Sequence, residues 1–224
     1  DISKRLDNIN DIFEVTTKPL IMDIDTGGKI EHLKINVRTM ERLGISAMIM
    51  EDKTGLKKNS LHEDTSNQQQ EGIEIFSEKI KSVKLYQSNS DFMVIARIES
   101  FILKKGIDDA LKRAKSYVGA GADAIMIHSK SKTPDEIFSF SKKFRPEFPD
   151  IPLVCVPSSY SSVKESELVE NGFNVVIYAN QLFRAAYPAM VKTANSILIN
   201  ERAEEIEKEL TSIKDMMDLI PGTK

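Results

Sequence analysis

Six apolar runs, spaced along the chain and separated by segments of helical period, constrain this sequence more than any other feature. They are "PLIMDID" (19–25), "ISAMIMED" (45–52), "FMVIARIES" (92–100), "ADAIMIHS" (122–129), "IPLVCVPSS" (151–159) and "FNVVIYAN" (173–180). Each is continuous in apolar character rather than alternating, as expected of strands covered on both faces. Residues 30–43, 72–84, 106–120, 134–145, 161–171 and 181–199 supply the intervening helices, two of them closed by glycine in "ERLG" and "VENG". Strand followed by helix, repeated in this way, predicts parallel βα units.

The polar residues choose between an open sheet and a barrel. Asp23, Asp25, Glu51, Arg97, His128, Ser158 and Asn180 all fall at the C-terminal end of a predicted strand. A closed barrel gathers those ends at one mouth, whereas an open sheet spreads them by ~4.8 Å per strand. The expected fold is therefore α/β, a (β/α)8 TIM-type barrel in a single domain over 1–224, of which six βα units are visible. The 18 residues before the first run include "SKRLDNINDIFE", which reads as a helix, so the first two barrel strands are expected to be absent. After 199 the pattern runs on through "ERAEEIEKELTSIKDMMDLI", with Ile206, Leu210, Ile213, Met217 and Ile220 recurring every three or four residues. That periodicity predicts a helical extension to 220.

Composition narrows the function classes. Lys and Arg number 31 against 34 Asp and Glu, which gives no reason to expect nucleic acid or an anionic membrane as partner. No apolar run approaches the roughly 18 residues that cross a bilayer. The single cysteine, Cys155, lies inside an apolar run, so it forms no intrachain disulfide and fits a reducing, cytoplasmic setting. There is no glycine-rich phosphate loop, no His/Cys metal spacing and no Ser/His/Asp set.

The chemistry concentrates at the strand ends. Asp23 and Asp25, two residues apart, are expected on one side of their strand, and Glu51 adds a third carboxylate from the next. Like charges held together either share a proton or face a cation, and oxygen-only ligands select a hard ion such as Mg2+ or Mn2+. Arg97 and His128 end the following two strands. A guanidinium fork grips carboxylate or phosphate, and an imidazole can donate to the same anion, so these residues beside a metal describe a pocket for a small polyanion. The loop after Glu51, "DKTGLKKNSL", carries Lys53, Lys57, Lys58, Asn59 and Ser60 where a lid would sit.

"DIDTGG", "EDKTGLKKNS", "ARIES", "IMIHS", "VPSS" and "VVIYANQLFRAAYPAM" together resemble the phosphoenolpyruvate mutase family of the isocitrate lyase/phosphoenolpyruvate mutase superfamily, over about residues 1–200. The most specific element is "EDK" followed, after five residues, by "NS". Lyases of that superfamily carry a cysteine in a "KKCGH"-like lid segment, and this lid has none. The resemblance implies Mg2+-dependent interconversion of phosphoenolpyruvate and phosphonopyruvate in phosphonate biosynthesis, with Asp23 ligating the ion and Asp25 and Glu51 holding it mainly through water. It further implies that Arg97, His128, Asn59 and Ser60 bind the substrate, that Lys57, Asn59 and Ser60 belong to a gating loop, and that Asn59 contacts the phosphoryl group in flight. Subunits of a homodimer or homotetramer would exchange C-terminal helices. A phosphonopyruvate hydrolase, and a non-catalytic Mg2+-dependent anion-binding module, are the competing readings. The family's small-residue segment on its first two strands has no counterpart in this sequence, and Asp1 lies near a further acidic position of the family.

Overall fold

The computed structural model describes residues 2–55, 60 and 67–219. A first helix α1 (Ile2–Phe13) leads into six parallel strands, β1 (Ile21–Asp23), β2 (Ala47–Glu51), β3 (Met93–Ile98), β4 (Ala124–Ile127), β5 (Leu153–Cys155) and β6 (Val175–Val176). They pair strictly in sequence order into one curled sheet. Five helices cross between them: α2 (Ile30–Leu43), α3 (Ile73–Tyr86), α4 (Gly106–Gly119), α5 (Asp135–Phe144) and α6 (Glu165–Glu170). The expected βα units and their helices are thus present, with the strands shorter than the apolar runs that announce them. Gly44 ends α2 at φ 87°, as the "ERLG" stop predicts, its N–H returning to the Glu41 carbonyl at 3.0 Å.

Both faces of the sheet are covered, which explains why the runs do not alternate. Met48, Met50, Val94, Ala96, Ile125, Ile127, Leu153 and Cys155 pack with the helices in the larger core. Ala47, Ile49, Ile95, Ala124, Met126, Val154 and Val156 form a second cluster on the other face, the inside of the curl. The period of two along a strand then assigns Asp23, Glu51 and Arg97 to the inner face, in register with that second cluster.

By compactness the chain divides at residue 178 into the sheet unit and a C-terminal unit over 179–224. The latter holds α7 (Gln181–Asn200), α8 (Glu204–Glu207) and α9 (Ile213–Asp218). The continuous helical extension expected from the sequence is broken. α7 stops at Glu201, whose φ of 54° is left-handed, and α9 restarts at Ser212, whose side chain accepts from the Asp215 N–H at 3.1 Å. The serine cap outweighs the apolar periodicity across 200–212. Of the five periodic residues, Ile206 is buried, Leu210, Ile213 and Met217 are exposed, and Ile220 lies outside the described residues.

Candidate active site

The turn after β1 sets the first edge of the site. Asp23 closes the strand, and its Oδ1 accepts from the Asp25 N–H at 2.8 Å. Asp25 takes a left-handed φ of 58°, and its carbonyl accepts from the Glu51 N–H at 2.8 Å. The chain has therefore left strand geometry between the two aspartates, so the alternation expected to put them on one side applies to Asp23 alone. The Asp25 carboxylate instead pairs with Arg5 Nη2 of α1 at 2.7 Å, while Arg5 Nη1 donates to the Asp23 carbonyl at 2.8 Å. Gly27 finishes the turn at φ 76°, against the sheet. A Cβ there would lie 2.4 Å from Met50 Sδ, so only glycine lets "DIDTGG" turn so close to β2.

Arg97 is the hub. It is the Cα partner of Glu51 across β2 and β3, and its guanidinium is almost wholly buried. Nε donates to Glu99 Oε1 at 2.6 Å and Nη2 to Ser60 Oγ at 2.9 Å; Nη2 also lies 2.9 Å from His128 Nδ1. Glu51 Oε2 stands 3.4 Å from Nη2, and Asp23 Oδ2 stands 3.7 Å from Nη1. One planar cation thus joins β1, β2, the end of β3, the end of β4 and Ser60. Asp23, Glu51, Arg97, His128 and Ser60 come together as expected. Asp25 faces Arg5, and Lys57 and Asn59 lie outside the described residues. Of the other strand-end residues, Ser158 follows β5 with a buried hydroxyl and Asn180 precedes α7 in the C-terminal unit without a side-chain capping bond.

Two further residues complete the cluster: Glu99, which was not singled out from the sequence, and Lys53, which was expected on the lid loop. Glu99 is fully buried and takes hydrogen bonds from Arg97, from Ser60 Oγ at 2.6 Å and from His128 Nδ1 at 2.9 Å. Lys53 Nζ donates to Ser60 Oγ at 2.7 Å and to Gln68 Oε1 at 3.1 Å, and stands 3.5 Å from Glu99 and 3.6 Å from Glu51. The signal for Glu99 was present in "ARIES": it follows Arg97 by two, the same period that puts strand residues on one face. Lys53, expected as one of the basic residues of the lid loop, is instead buried among the acidic strand-end residues Glu51 and Glu99, whose charge it balances.

These contacts fix protonation. Burial by itself would raise the Glu99 carboxyl, but the His128 hydrogen bond and the Arg97 and Lys53 charges hold it well below the usual carboxylate range. Burial pushes the His128 imidazole down, with Arg97 and Lys53 adding to the effect and Glu99 opposing it. Nδ1 cannot both accept from Arg97 and donate to Glu99. Because Glu99 is ionised, we assign the proton to Nδ1, donating to Glu99 and leaving Nε2 as an acceptor. Neutral His128 therefore does not offer the donor anticipated for it; donation from Nε2 requires a second proton, which an arriving anion would favour.

Asp23, Asp25, Glu51 and Glu99 set four carboxylates against the three cations Arg5, Lys53 and Arg97. Among the described residues no group of three His, Cys, Asp or Glu converges into a metal cage. Mg2+ does not require one, since it keeps several waters and binds through one or two carboxylates plus substrate oxygens. Asp23, with 37% of its side chain exposed, and Glu51 behind it fit that pattern, and their oxygen-only chemistry suits a hard ion.

A parallel α/β sheet curled like part of a barrel gathers carboxylates, a guanidinium and an imidazole at its strand ends. The chain belongs to the phosphoenolpyruvate phosphomutase family, which it matches over residues 1–198. It is 38% identical over 205 residues to a phosphoenolpyruvate phosphomutase of Tetrahymena pyriformis, covering 91% of this chain and 67% of that protein. Its fold is similar to the crystal structure of a phosphoenolpyruvate phosphomutase from Streptomyces platensis subsp. rosaceus, with TM-score 0.91 and 34% identity over 98% of this chain and 75% of that one. A phosphonopyruvate hydrolase solved with oxalate and Mg2+ is as similar in sequence, at 35% identity, TM-score 0.86, and coverage of 98% and 74%. Relatives of the superfamily are mutases, hydrolases and lyases, all enzymes.

Proposed function

We propose that the protein is an isomerase that interconverts phosphoenolpyruvate and phosphonopyruvate by Mg2+-dependent intramolecular phosphoryl transfer, serving phosphonate biosynthesis in the cytoplasm. The observation that carries this reading is the Arg97 guanidinium, buried, braced by Glu99 and standing beside Asp23 and Glu51. A phosphoryl group in transit is loose and metaphosphate-like, so positioning and positive charge supply most of the catalysis. Asp23, with Glu51 behind it, would hold the ion, which would polarise the pyruvyl oxygens. Arg97 grips carboxylate or phosphoryl oxygens, and His128 steadies the phosphoryl group once protonated. Ser60 bridges Lys53, Glu99 and Arg97, which supports assigning the Lys57–Asn59–Ser60 segment to water exclusion over the substrate. Asn59 would guide the transferring group without offering it a nucleophile.

No general base is required, and Glu99, held ionised by three hydrogen-bond donors, is poorly suited to be one. The comparable identity to a phosphonopyruvate hydrolase supports a second reading, in which water captures the same phosphoryl group. Phosphorus-31 NMR of the protein with Mg2+ and phosphonopyruvate separates the two. Phosphoenolpyruvate as the first product is expected; free phosphate alone would replace the mutase reading by the hydrolase, and an unchanged spectrum would leave only an anion-binding module. We also propose a homodimer or homotetramer exchanging C-terminal helices, supported by the exposed Leu182, Phe183, Tyr187, Leu198 and Ile199 of α7.

A further inference from the structure

Asp52 follows Glu51 and, by the period of two, faces the helices instead of the mouth. It is fully buried, and each oxygen of its carboxylate is engaged. Oδ1 accepts from the Glu99 N–H at 3.0 Å; Oδ2 accepts from Gln70 Nε2 at 2.8 Å, Tyr117 Oη at 2.8 Å and Arg113 Nη1 at 3.2 Å. Its own N–H donates to the Arg97 carbonyl at 3.0 Å, and its carbonyl accepts from the Glu71 N–H at 2.8 Å. Arg113 is oriented in turn by Asp109 Oδ2 and the Glu71 carbonyl, both at 2.9 Å. Gln70 forms an isolated antiparallel bridge with Lys53, so that bridge is tied to the same carboxylate.

A buried carboxylate costs far more than an apolar side chain unless its oxygens are fully bonded, and here they are bonded by Arg113 and Tyr117 of α4, by the Gln70 side chain and by the Glu99 N–H. We propose that Asp52 is a positioning residue, anchoring α4 to the main chain of Glu99 and to the side chain of Gln70 so that Glu99 holds Arg97 and His128 in the geometry phosphoryl transfer needs. This rests on the reading above for its consequence in turnover, and on distances alone for its geometry. Misplacing a catalytic group by about 1 Å can cost on the order of 10²-fold in rate.

The test uses Asp52→Asn and the milder Tyr117→Phe in the full chain, with the ring nitrogens of His128 followed by nitrogen-15 NMR and assigned against His128→Gln. Both variants should shift the His128 Nδ1 signal, because its acceptor Glu99 moves. With Mg2+ and phosphonopyruvate, kcat should fall about 10- to 100-fold in Asp52→Asn and several-fold in Tyr117→Phe, with KM little changed. An unchanged ring signal overturns the proposal whatever happens to kcat, since Asp52 would then serve the core only, and a shifted ring with undiminished turnover overturns it too. Should Asp52→Asn fail to fold, Tyr117→Phe decides alone. The ring signal needs no turnover, so an inactive parent showing the shift would sink the mutase reading and leave the positioning role standing.

Discussion

Replacing Glu99 by glutamine keeps the shape of the side chain and removes the charge on which the cluster is built. The carboxylate accepts from Arg97 at 2.6 Å, Ser60 at 2.6 Å and His128 at 2.9 Å, with Lys53 3.5 Å away. A glutamine carbonyl can serve part of this set, and its amide brings donors against donors. Breaking a buried ion pair from one side costs about 3–5 kcal/mol. Glu51 at 3.4 Å and Asp23 at 3.7 Å still face Arg97, which puts the expected loss near the lower end, about 3 kcal/mol. With a urea slope of about 3 kcal/mol per molar, the midpoint should fall by about 1 M. Urea unfolding followed by near-ultraviolet circular dichroism, comparing Glu99→Gln with the parent at pH 7, measures this. A shift under about 0.3 M, equivalent to less than about 1 kcal/mol, would show that Glu99 is not what neutralises Arg97 and Lys53.

Asp23→Ala should leave the fold intact and reduce Mg2+-dependent turnover by on the order of 10³-fold, since it removes the expected direct ligand; undiminished turnover in excess chelator would exclude the ion altogether. His128 predicts a pH dependence of stability. Its folded pKa lies below the ordinary 6.5, so between the two values the unfolded chain binds more protons, and stability should drop on acidification below about 7, by at most about 1.4 kcal/mol per pH unit. Asp52, raised to about 6 by burial against the pull of Arg113, acts in the opposite sense at lower pH. The difference between parent and His128→Gln therefore isolates the imidazole, and parallel slopes for the two would contradict the assignment. Light scattering at micromolar concentration should find a dimer or larger; a monomer would exclude helix exchange.

The sheet was legible because burial on both faces leaves a composition signal, the continuous Ile/Val/Met runs, and because β1 to β4 each end at or just before a polar residue. Glu51, Arg97 and His128 were found by that rule, and their meeting at one guanidinium follows from register. The rule failed where backbone departs from strand geometry. Asp25 sits in a left-handed turn created by the Asp23 side chain and the space Gly27 leaves beside Met50, which no alternation argument anticipates. Its partner Arg5 comes from α1, 20 residues earlier, where only tertiary structure could supply it. Asp52 was hidden by its neighbour: in "EDK" the outer two residues face the site, and the middle one draws its partners from α4, some 60 residues on. The break between α7 and α9 was missed because an apolar repeat of three to four says nothing about a residue such as Glu201 turning left-handed.

The central claim is that the Arg97 cluster, with a hard cation at Asp23 and Glu51, binds a small planar dianion. Titration calorimetry with oxalate, in Mg2+ and in chelator, tests it on the parent and on Arg97→Lys, which keeps the charge and loses the fork. Oxalate should bind the parent only with Mg2+ present, and Arg97→Lys should bind at least tenfold more weakly. Equal affinity with and without the ion, or no effect of the substitution, would contradict the account.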